Sequence, residues 1–289
     1  MTWLVTGADG QLGSAFRQTL NRSNDQVNFV NRSTCDLADS ANLINCLQTL
    51  RPSIILNCAA YTAVDAAEND VDSAMRINAE AVGEIANWAA ANDALLFHFS
   101  TDYVFDGFET GKYSEDDQKN PLSVYGKSKA LGEQYFLNAG SKGACIRTSW
   151  VHSNDGSNFF LTMLRLLHDS EHIKVVDDQR GIPTSTEFLA KVTLELISSY
   201  KNDEKDMPPV LHAVPDGETT WFGFACHIRD MLIARDSKAS LAEIEPIQSS
   251  DFPQLARRPA NSVMSNRLLK SLVKDRVGTW KHWNQKLYI

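Results

Sequence analysis

Residues 2–13 read TWLVTGADGQLG, and this stretch decides the fold. Its first five residues are apolar or β-branched and predict a buried strand, whereas Gln11 begins a segment with helical periodicity. Three glycines, Gly7, Gly10 and Gly13, stand between them at three-residue spacing. Glycine lets the backbone turn tightly and approach another molecule closely, and the N-terminus of a helix presents free N–H groups to an anion. The stretch therefore predicts a strand, a loop and a helix that together hold a phosphate group.

The alternation of strand and helix continues through the first half of the chain. The predicted strands cover 3–5, 27–30, 54–58, 95–99 and 144–148, and the predicted helices cover 11–20, 40–51, 73–92 and 125–139. Strands that alternate with helices form parallel sheets with right-handed crossovers. We therefore expect an α/β fold with a Rossmann-type doubly wound parallel sheet, whose ligands bind at the carboxyl ends of the strands.

The pattern becomes less regular after residue 149. We predict a helix over 159–168, a strand over 173–176, a helix over 186–200, an exposed loop over 201–206 and a strand over 210–213 that returns to the sheet. Two domains follow from this division. We expect a dinucleotide-binding domain at 1–148 plus roughly 185–221, and a smaller α/β substrate-binding domain at roughly 149–184 plus 222–289.

The composition is that of an ordinary globular protein. A chain of 289 residues with 43% hydrophobic residues can bury a large core. No apolar run reaches the ~20 residues that cross a bilayer, and no basic leader precedes the first strand, so we expect a cytoplasmic protein. The five cysteines contain no C-x-x-C pair and are predicted to be reduced thiols. A formal charge of −8 argues against nucleic acids and anionic membranes as partners.

Residues near the ends of the second and third strands are candidates to bind a dinucleotide. An acidic residue after the second strand would bind the ribose 2′-hydroxyl of NAD, but this chain has Asn31 and Arg32 there. Because a guanidinium fits a 2′-phosphate, we expect NADPH as cofactor, with NADH as the alternative. Arg32 could equally be an exposed loop charge. The other residues predicted here to contact the cofactor are Gly7, Asp9, Gly10, Gln11, Leu12, Gly13, Ala59, Ala60 and Tyr61.

Tyr125 and Lys129 lie one helical turn apart and are candidates for ketone reduction. Such a reduction produces an alkoxide, so the site must supply a proton and stabilise negative charge. We predict Tyr125 as the acid, and we expect Lys129 to lower its pKa and to bind the nicotinamide ribose, so that both residues also contact the cofactor. Thr101 follows a predicted strand, which should bring its hydroxyl to the substrate carbonyl. A surface tyrosine, a solvated lysine and a strand-end threonine are the alternative interpretation.

Longer stretches resemble the dTDP-4-dehydrorhamnose reductases, a family of extended short-chain dehydrogenases/reductases. They are AAYTAVDAAE at 59–68, STDYVFDG at 100–107, PLSVYGKSK at 121–129 and RTSWV at 147–151, with shorter matches near 158–159, 178–184 and 258–262. The resemblance thus covers nearly the whole chain in the same order. It implies reduction of the 4-keto group of dTDP-4-dehydro-β-L-rhamnose to dTDP-β-L-rhamnose.

The resemblance also implies roles for single residues. Thr101 and Asp102 would contact the sugar, and Trp150 would border the sugar pocket. Asp36, followed by Leu37, would lie near the adenine of the cofactor. We expect Arg258 at the substrate diphosphate, because a guanidinium binds phosphate oxygens in a bidentate way, although Arg257 and Arg258 could also be a solvated pair.

One departure from the family concerns assembly. Some members are described as dimers joined through Mg²⁺ held by glutamates, one of them in the helix after the glycine loop. Residues 12–17 of this chain read LGSAFR and contain no carboxylate. We therefore expect no metal site and favour a monomer over a dimer, with Glu187 as a candidate remnant of that ligand set.

Two other functions stay open. A reductase of another dTDP-4-keto-6-deoxysugar would need the same catalytic residues, since selection between faces of the sugar depends on pocket shape. A non-catalytic regulatory subunit is the other alternative, because the β subunit of methionine adenosyltransferase resembles these reductases and a fold does not fix a function.

Overall fold

A computed structural model describes residues 1–21, 25–203, 207–273 and 277–285. Its strands are β1 (Thr2–Thr6), β2 (Gln26–Phe29), β3 (Ile54–Asn57), β4 (Leu95–Thr101), β5 (Lys142–Thr148), β6 (Val151–His152), β7 (His172–Val176), β8 (Arg180–Gly181), β9 (Thr184–Ser185), β10 (Val210–His212), β11 (Thr219–Thr220) and β12 (Glu243–Ile247). Its α-helices are α1 (Gln11–Leu20), α2 (Ser40–Leu50), α3 (Val64–Ala67), α4 (Val71–Met75), α5 (Ala81–Ala91), α6 (Val124–Ala139), α7 (Phe159–Asp169), α8 (Thr186–Asp203), α9 (Trp221–Arg235), α10 (Arg267–Leu272) and α11 (Trp280–Asn284). A π-helical turn, Arg76–Glu80, connects α4 to α5.

The central sheet of the described chain has six parallel strands in the order β10-β5-β4-β3-β1-β2. The chain moves outward from β1 to β2 and then crosses back to β3, so a crevice opens at the carboxyl ends of β1 and β3. Every residue of β3 and β4 is buried, because helices cover both faces of the sheet. The predicted fold class is confirmed.

Alternate residues of β1 point to opposite faces of the sheet, which is the two-residue period of a strand. Trp3 and Val5 pack in a cluster with α1 and α8, whereas Leu4 packs in a cluster with α2 and α5. A third apolar cluster combines α7, α9 and β7 with Phe105 and Trp280. We keep the predicted division into two domains as a proposal, with this third cluster as the candidate core of the smaller one. Residues 274–276 and 286–289 of that predicted domain lie outside the described residues.

Several elements differ from the sequence prediction. The predicted helix over 73–92 is α4, the π-helical turn and α5 in succession. Helix α8 extends to Asp203, so the predicted loop over 201–206 is helical as far as that residue, and residues 204–206 lie outside the described residues. Strand β7 pairs in parallel with β12, a strand that was not predicted. None of the helices in the described part of the chain has the length and apolar character that spanning a membrane requires.

Candidate active site

The glycine loop after β1 forms a cradle of backbone. Gly7 has a φ of +61°, and a Cβ there would lie 2.8 Å from the backbone nitrogen of Ala59. Helix α1 begins after Gly10, whose position offers no side-chain cap to the first N–H groups of the helix. A Cβ at Gly13 would lie 2.3 Å from the carbonyl oxygen of Gly7, so α1 packs directly on the loop. The cradle has the shape and the free donors to bind an anion.

A cleft of about 900 Å³ extends from this loop along the carboxyl ends of the strands. Asn31, Arg32 and Asp36 line one end of it. The amide nitrogen of Asn31 donates a 2.7 Å hydrogen bond to Asp9, and Nε of Arg32 lies 3.6 Å from Oδ2 of Asp36. The segment after β2 therefore presents the Arg32 cation and the Asp36 carboxylate to this end of the cleft, and the glycine loop adds the carboxylate of Asp9.

The segment after β3 forms a wall of the cleft and is held by Asn78, which lies in the π-helical turn. The backbone nitrogen of Tyr61 donates to Oδ1 of Asn78 at 2.8 Å, and Nδ2 of Asn78 donates to the carbonyl oxygen of Tyr61 at 3.0 Å. The same nitrogen lies 3.0 Å from Oγ of Ser128 in α6. Asn78 thus ties the wall that contains Ala59 and Ala60 to the helix that begins at Val124.

Helix α6 places Tyr125 and Lys129 at the cleft. The Ser123 hydroxyl caps the helix by accepting from the backbone nitrogen of Gly126, which puts Tyr125 in the first turn. Lys129 is only 1% exposed, and its Nζ donates a 2.6 Å hydrogen bond to the carbonyl oxygen of Phe99 and lies 3.3 Å from Nε2 of His98. Burial lowers the pKa of Lys129 to about 8. Both predicted residues line the cleft.

The phenol of Tyr125 keeps its proton in the protein alone. Burial raises the pKa of Tyr125 to about 12, the Thr101 hydroxyl opposes this rise, and the charge of Asp102 adds to it. Lys129 is not among these influences, because its Nζ is directed to Phe99 and His98. That Lys129 lowers the pKa of Tyr125 stays a prediction for the protein with its cofactor bound.

Thr101 lines the cleft, but Asp102 lies behind it. The Thr101 hydroxyl accepts from the backbone nitrogen of Tyr103 at 3.2 Å and donates to Oδ1 of Asp102 at 3.1 Å. Asp102 is 2% exposed and does not line the cleft, and its Oδ2 has no hydrogen-bond partner among the described residues. Burial raises the pKa of Asp102 to about 7. The structure therefore places Asp102 against Thr101 and not in the open cleft.

Two tryptophans, Trp150 and Trp221, form an aromatic part of the cleft wall. The indole of Trp150 stacks on that of Trp221 with centroids 3.6 Å apart and planes 8° from parallel. Trp150 has a φ of +47°, and a Cβ at Gly181 would lie 2.4 Å from its Cε2. A bulky residue keeps such a backbone conformation only where its surroundings hold it. Trp221, which the sequence analysis missed, is fixed by a 3.2 Å hydrogen bond from Nε1 to Gln179.

The glycine loop also contacts a segment that is distant in sequence. Gln11 accepts hydrogen bonds from Ser153 at 3.0 Å and from Asn158 at 2.8 Å, and Asn158 caps α7 and lines the cleft. The sequence did signal a helix cap, since Asn precedes an apolar helix. A cap signal does not reveal which loop the capping residue faces.

Comparison with known proteins places the chain in a family. The family model described as RmlD substrate binding domain matches residues 1–288. A Burkholderia thailandensis protein named dTDP-4-dehydrorhamnose reductase is 39% identical over 287 residues, which are 98% of this chain and 96% of that protein. This chain belongs to the dTDP-4-dehydrorhamnose reductase family. The resemblance identified from the sequence is thus confirmed.

Two crystal structures of the dTDP-4-dehydrorhamnose reductase family have nearly the same fold. The Clostridium acetobutylicum protein superposes with a TM-score of 0.91 at 33% identity and covers 99% of this chain and 98% of its own. The Bacillus anthracis protein, in complex with NADP, superposes with a TM-score of 0.90 at 31% identity and the same coverage of both chains.

Most residues predicted from the sequence converge on the cleft of this family member, and three do not line it. Those that line it are Gly7, Asp9, Gly10, Gln11, Leu12, Asn31, Arg32, Asp36, Leu37, Ala59, Ala60, Tyr61, Thr101, Tyr125, Lys129 and Trp150. Gly13 lies behind the loop and Asp102 behind Thr101. Arg258 forms a bidentate ion pair with Asp65, at 3.0 and 2.6 Å, and is 12% exposed.

Glu187 was predicted from the sequence as a candidate remnant of a Mg²⁺ ligand set. This residue lies in the first turn of α8. Within residues 1–21, 25–203, 207–273 and 277–285, no group of three or more His, Cys, Asp or Glu side chains is arranged to hold a metal ion.

Proposed function

We propose that this protein reduces the 4-keto group of dTDP-4-dehydro-β-L-rhamnose to dTDP-β-L-rhamnose with NADPH. The observation that carries the proposal is that Tyr125, Lys129 and Thr101 line the same cleft as the glycine loop, in a chain of this family. The NADP in the Bacillus anthracis relative supports the choice of cofactor.

The residues of the cleft fit a dinucleotide. The free N–H groups at the start of α1 would hold the pyrophosphate, Arg32 the 2′-phosphate, and Ala59 and Ala60 the backbone side of a ribose. Thr148 adds a buried hydroxyl that lines the cleft and has no hydrogen-bond partner in the described chain. When bound, the reduced nicotinamide supplies a hydride.

In this proposal, Tyr125 supplies the proton. Its phenol is neutral at physiological pH, and the proton passes from Oη to the sugar oxygen as negative charge develops there. The phenolate that remains is stabilised by an ammonium at Lys129, and the buried setting strengthens that attraction. Because Phe99 and His98 occupy two directions around Nζ, a remaining N–H of Lys129 is left for a ribose hydroxyl.

Thr101 orients the carbonyl oxygen. In the protein alone its proton goes to Asp102, so a hydrogen bond to the substrate requires that this proton be released. Asp102 can allow this, because with a pKa of about 7 it is protonated in part at neutral pH, and a protonated carboxyl donates to the threonine oxygen. We therefore propose that Asp102 acts on the sugar through Thr101.

Trp150 and Trp221 would give the deoxysugar an apolar wall, which suits its methyl group. We keep Arg258 as the proposed ligand of the diphosphate. In that case the diphosphate replaces Asp65, whose carboxylate already occupies the guanidinium in a bidentate way.

The proposal is tested by NADPH consumption with enzymatically prepared keto sugar. Tyr125→Phe should lower kcat by ~100 to 10,000-fold, the usual contribution of a positioned acid. Tyr135→Phe is the matched control, because Tyr135 lies in the same helix, is 37% exposed and should leave the rate unchanged. The same assay with Arg258→Ala checks the diphosphate contact through the KM of the keto sugar.

Equal rates for wild type and Tyr125→Phe would reject the proposed acid. Failure of the wild type to turn over any keto sugar, despite binding NADPH, would favour the regulatory alternative. The NMR spectrum of the product identifies the configuration of the new hydroxyl group. The opposite configuration at C4 would replace the rhamnose assignment with the alternative, a reductase that forms another dTDP-6-deoxysugar.

We further propose that the protein is a cytoplasmic monomer without nucleic acid or membrane partners. The absence of a carboxylate from residues 12–17 supports the monomer. The net charge of −8 argues against nucleic acids and anionic membranes as partners. Sedimentation of the purified 32.2 kDa chain distinguishes a monomer from a dimer.

A further inference from the structure

A buried row of side chains connects Lys129 to the glycine loop. Nζ of Lys129 lies 3.3 Å from Nε2 of His98, and Nδ1 of His98 lies 3.1 Å from Nδ2 of Asn57. Oδ1 of Asn57 accepts a 2.7 Å hydrogen bond from the Thr6 hydroxyl. Each of these four side chains is at most 1% exposed. The row is therefore sealed from solvent beneath the cleft.

The sheet itself places these residues side by side. Thr6 of β1 is in register with Asn57 of β3, and Asn57 is in register with His98 of β4. Thr6 directly precedes Gly7, and its hydroxyl accepts a 3.2 Å hydrogen bond from the backbone nitrogen of Ala59. Gly7 and Ala59 both line the cleft. The row thus runs from the backbone that faces the proposed cofactor to Lys129.

The order of donors and acceptors selects one form of the imidazole. The Thr6 oxygen accepts the Ala59 N–H and donates its own proton to Oδ1 of Asn57, so Asn57 turns its NH₂ group towards His98. Nδ1 of His98 must then accept, and the neutral ring carries its proton on Nε2, where it faces Lys129. A neutral amine can accept that proton, whereas an ammonium has no lone pair.

The surroundings keep His98 neutral. Burial, together with the charge of Lys129, holds the pKa of His98 well below its usual range. The other titratable groups that act on Lys129 are Cys145, which is in register with His98 on β5, and Glu133 on α6 itself. Glu133 already forms ion pairs with Arg147 and Lys119.

We propose that His98 is a positioning residue which, held as the Nε2–H form by Asn57 and Thr6, makes Lys129 lose its proton more readily than a lysine facing a lone pair would. The Nε2–H dipole opposes the ammonium and favours the amine. After Tyr125 has given its proton to the sugar oxygen, the Lys129 ammonium can then pass a proton to the phenolate, which restores the phenol and leaves a neutral amine that accepts from Nε2–H. The amine takes up a proton from solvent before the next turnover. The inference rests on the proposed function for the reaction, but the hydrogen-bond order belongs to the protein alone.

The first test needs neither substrate nor cofactor. In protein labelled with ¹⁵N-histidine, the ring nitrogens of His98 should show a neutral Nε2–H form that does not change from about pH 6 to pH 9, a range that spans the ordinary histidine pKa of ~6.5. The spectrum of His98→Phe, which lacks the ring signals of His98, identifies those signals in the wild type. A ring with its proton on Nδ1, or one that titrates within this range, would overturn the inference.

The second test reverses the order of donors and acceptors in the row. In Asn57→Asp the carboxylate accepts from Nδ1, so Nε2 turns its lone pair towards Lys129, and the NMR titration of ¹³C-labelled Lys129 should move up by about one pH unit or more. The alkaline limb of the kcat profile should move in the same direction. Asn28→Asp is the matched control, because Asn28 lies on β2 and donates to the carbonyl oxygen of Trp3.

An unchanged Lys129 titration in Asn57→Asp, or an equal shift in Asn28→Asp, would overturn the inference. If Asn57→Asp does not fold, the spectrum of the wild-type His98 imidazole still tests the inference. Neither NMR result touches the reductase assignment, which stands or falls on turnover of the keto sugar by the wild type.

Discussion

Arg32 extends from the turn after β2 to the rim of the cleft, with its side chain 84% exposed. Its contact with Asp36, at 3.6 Å, is an exposed ion pair of the kind that contributes little to stability. The guanidinium is therefore oriented by a weak contact only. A phosphate can displace Asp36 from it, because charge-assisted hydrogen bonds to a phosphate are stronger.

Replacing Arg32 should weaken NADPH much more than NADH. Arg32→Ala removes hydrogen bonds to a charged group, each contributing ~1.5–3 kcal/mol, so the KM for NADPH should rise ~10- to 100-fold while that for NADH stays nearly constant. The measurement is initial velocity against each cofactor. Lys238→Ala, an exposed cation that does not line the cleft, is the control for loss of charge. A parallel loss with both cofactors would show that Arg32 does not contact the 2′-phosphate.

At the scale of single elements, the position of helix α1 depends on Gly13. A Cβ at this position would lie 2.3 Å from the carbonyl oxygen of Gly7 and 2.7 Å from the Cα of Ala8. Both are backbone atoms of the loop, so neither can swing aside as a flexible side chain does. Any larger residue must push the helix N-terminus away from the loop.

Gly13→Ala should therefore impair the anion cradle. We expect the Kd for NADP⁺ to rise at least ~10-fold, as when one charge-assisted hydrogen bond is lost, and the free energy of unfolding to fall by ~1–3 kcal/mol, as in overpacked cores. Isothermal titration and urea unfolding measure the two effects. Gly111→Ala is the control, since its Cβ would meet only a side-chain oxygen at 3.7 Å. Unchanged affinity in Gly13→Ala would mean that α1 does not hold the pyrophosphate.

The regular elements could be predicted because their signals are local. The apolar run before Gly7 and the capped helix after Ser123 carry their own periodicity and end signals. The π-helical turn Arg76–Glu80 carries no such signal, because it keeps a helical pattern and changes only the hydrogen-bond spacing. Two-residue strands such as β8 are also invisible, since alternation needs about four residues to be detected.

The parts of the site that sequence reasoning missed depend on the whole molecule. Trp221 reaches Trp150 only after the chain has passed through β10, and no local pattern links the two indoles. The pair between Asp65 and Arg258 joins positions 193 residues apart, and either residue alone reads as an exposed charge. The family resemblance predicted Asp102 at the sugar beside Thr101, but side chains of adjacent residues diverge where a strand ends, and Asp102 lies behind Thr101.

An ion-pair network around the buried Glu133 joins elements that are distant in sequence. The carboxylate of Glu133, which is fully buried, accepts from Arg147 at 3.0 and 2.9 Å, from Lys119 at 3.0 Å and from the Ser100 hydroxyl at 2.6 Å. These partners come from β5, β4 and the segment before α6. Breaking such a buried pair by removing one partner is costly, because it leaves an uncompensated charge.

Glu133→Gln should lower the free energy of unfolding by about 3 kcal/mol at pH 7. Burial alone would raise the pKa of Glu133, but Arg147 and Lys119 outweigh it and hold the pKa below its ordinary value. Stability from a lowered carboxylate pKa is complete above the unfolded value of ~4.3 and is lost as the pH falls through the folded value. The difference between wild type and variant should therefore shrink in acid.

Urea unfolding at several pH values below 7 measures this difference. The control is Asp93→Asn, which removes an ion pair with Lys142 whose side chains are 80% and 54% exposed, and little change is expected at any pH. A difference that stays constant or grows in acid would contradict the assigned role of Glu133.

The π-helical turn has a consequence for motion. It holds one residue more than an α-helical turn, and that residue brings Asn78 to both Tyr61 and Ser128. On the other side, a Cβ at Gly132 would lie 2.1 Å from the carbonyl oxygen of Asn78, so the turn and α6 are in backbone contact. The wall that contains Ala59 and Ala60 is therefore braced against the helix that contains Tyr125. We therefore expect the distance between that wall and the phenol of Tyr125 to stay constant when a ligand enters the cleft.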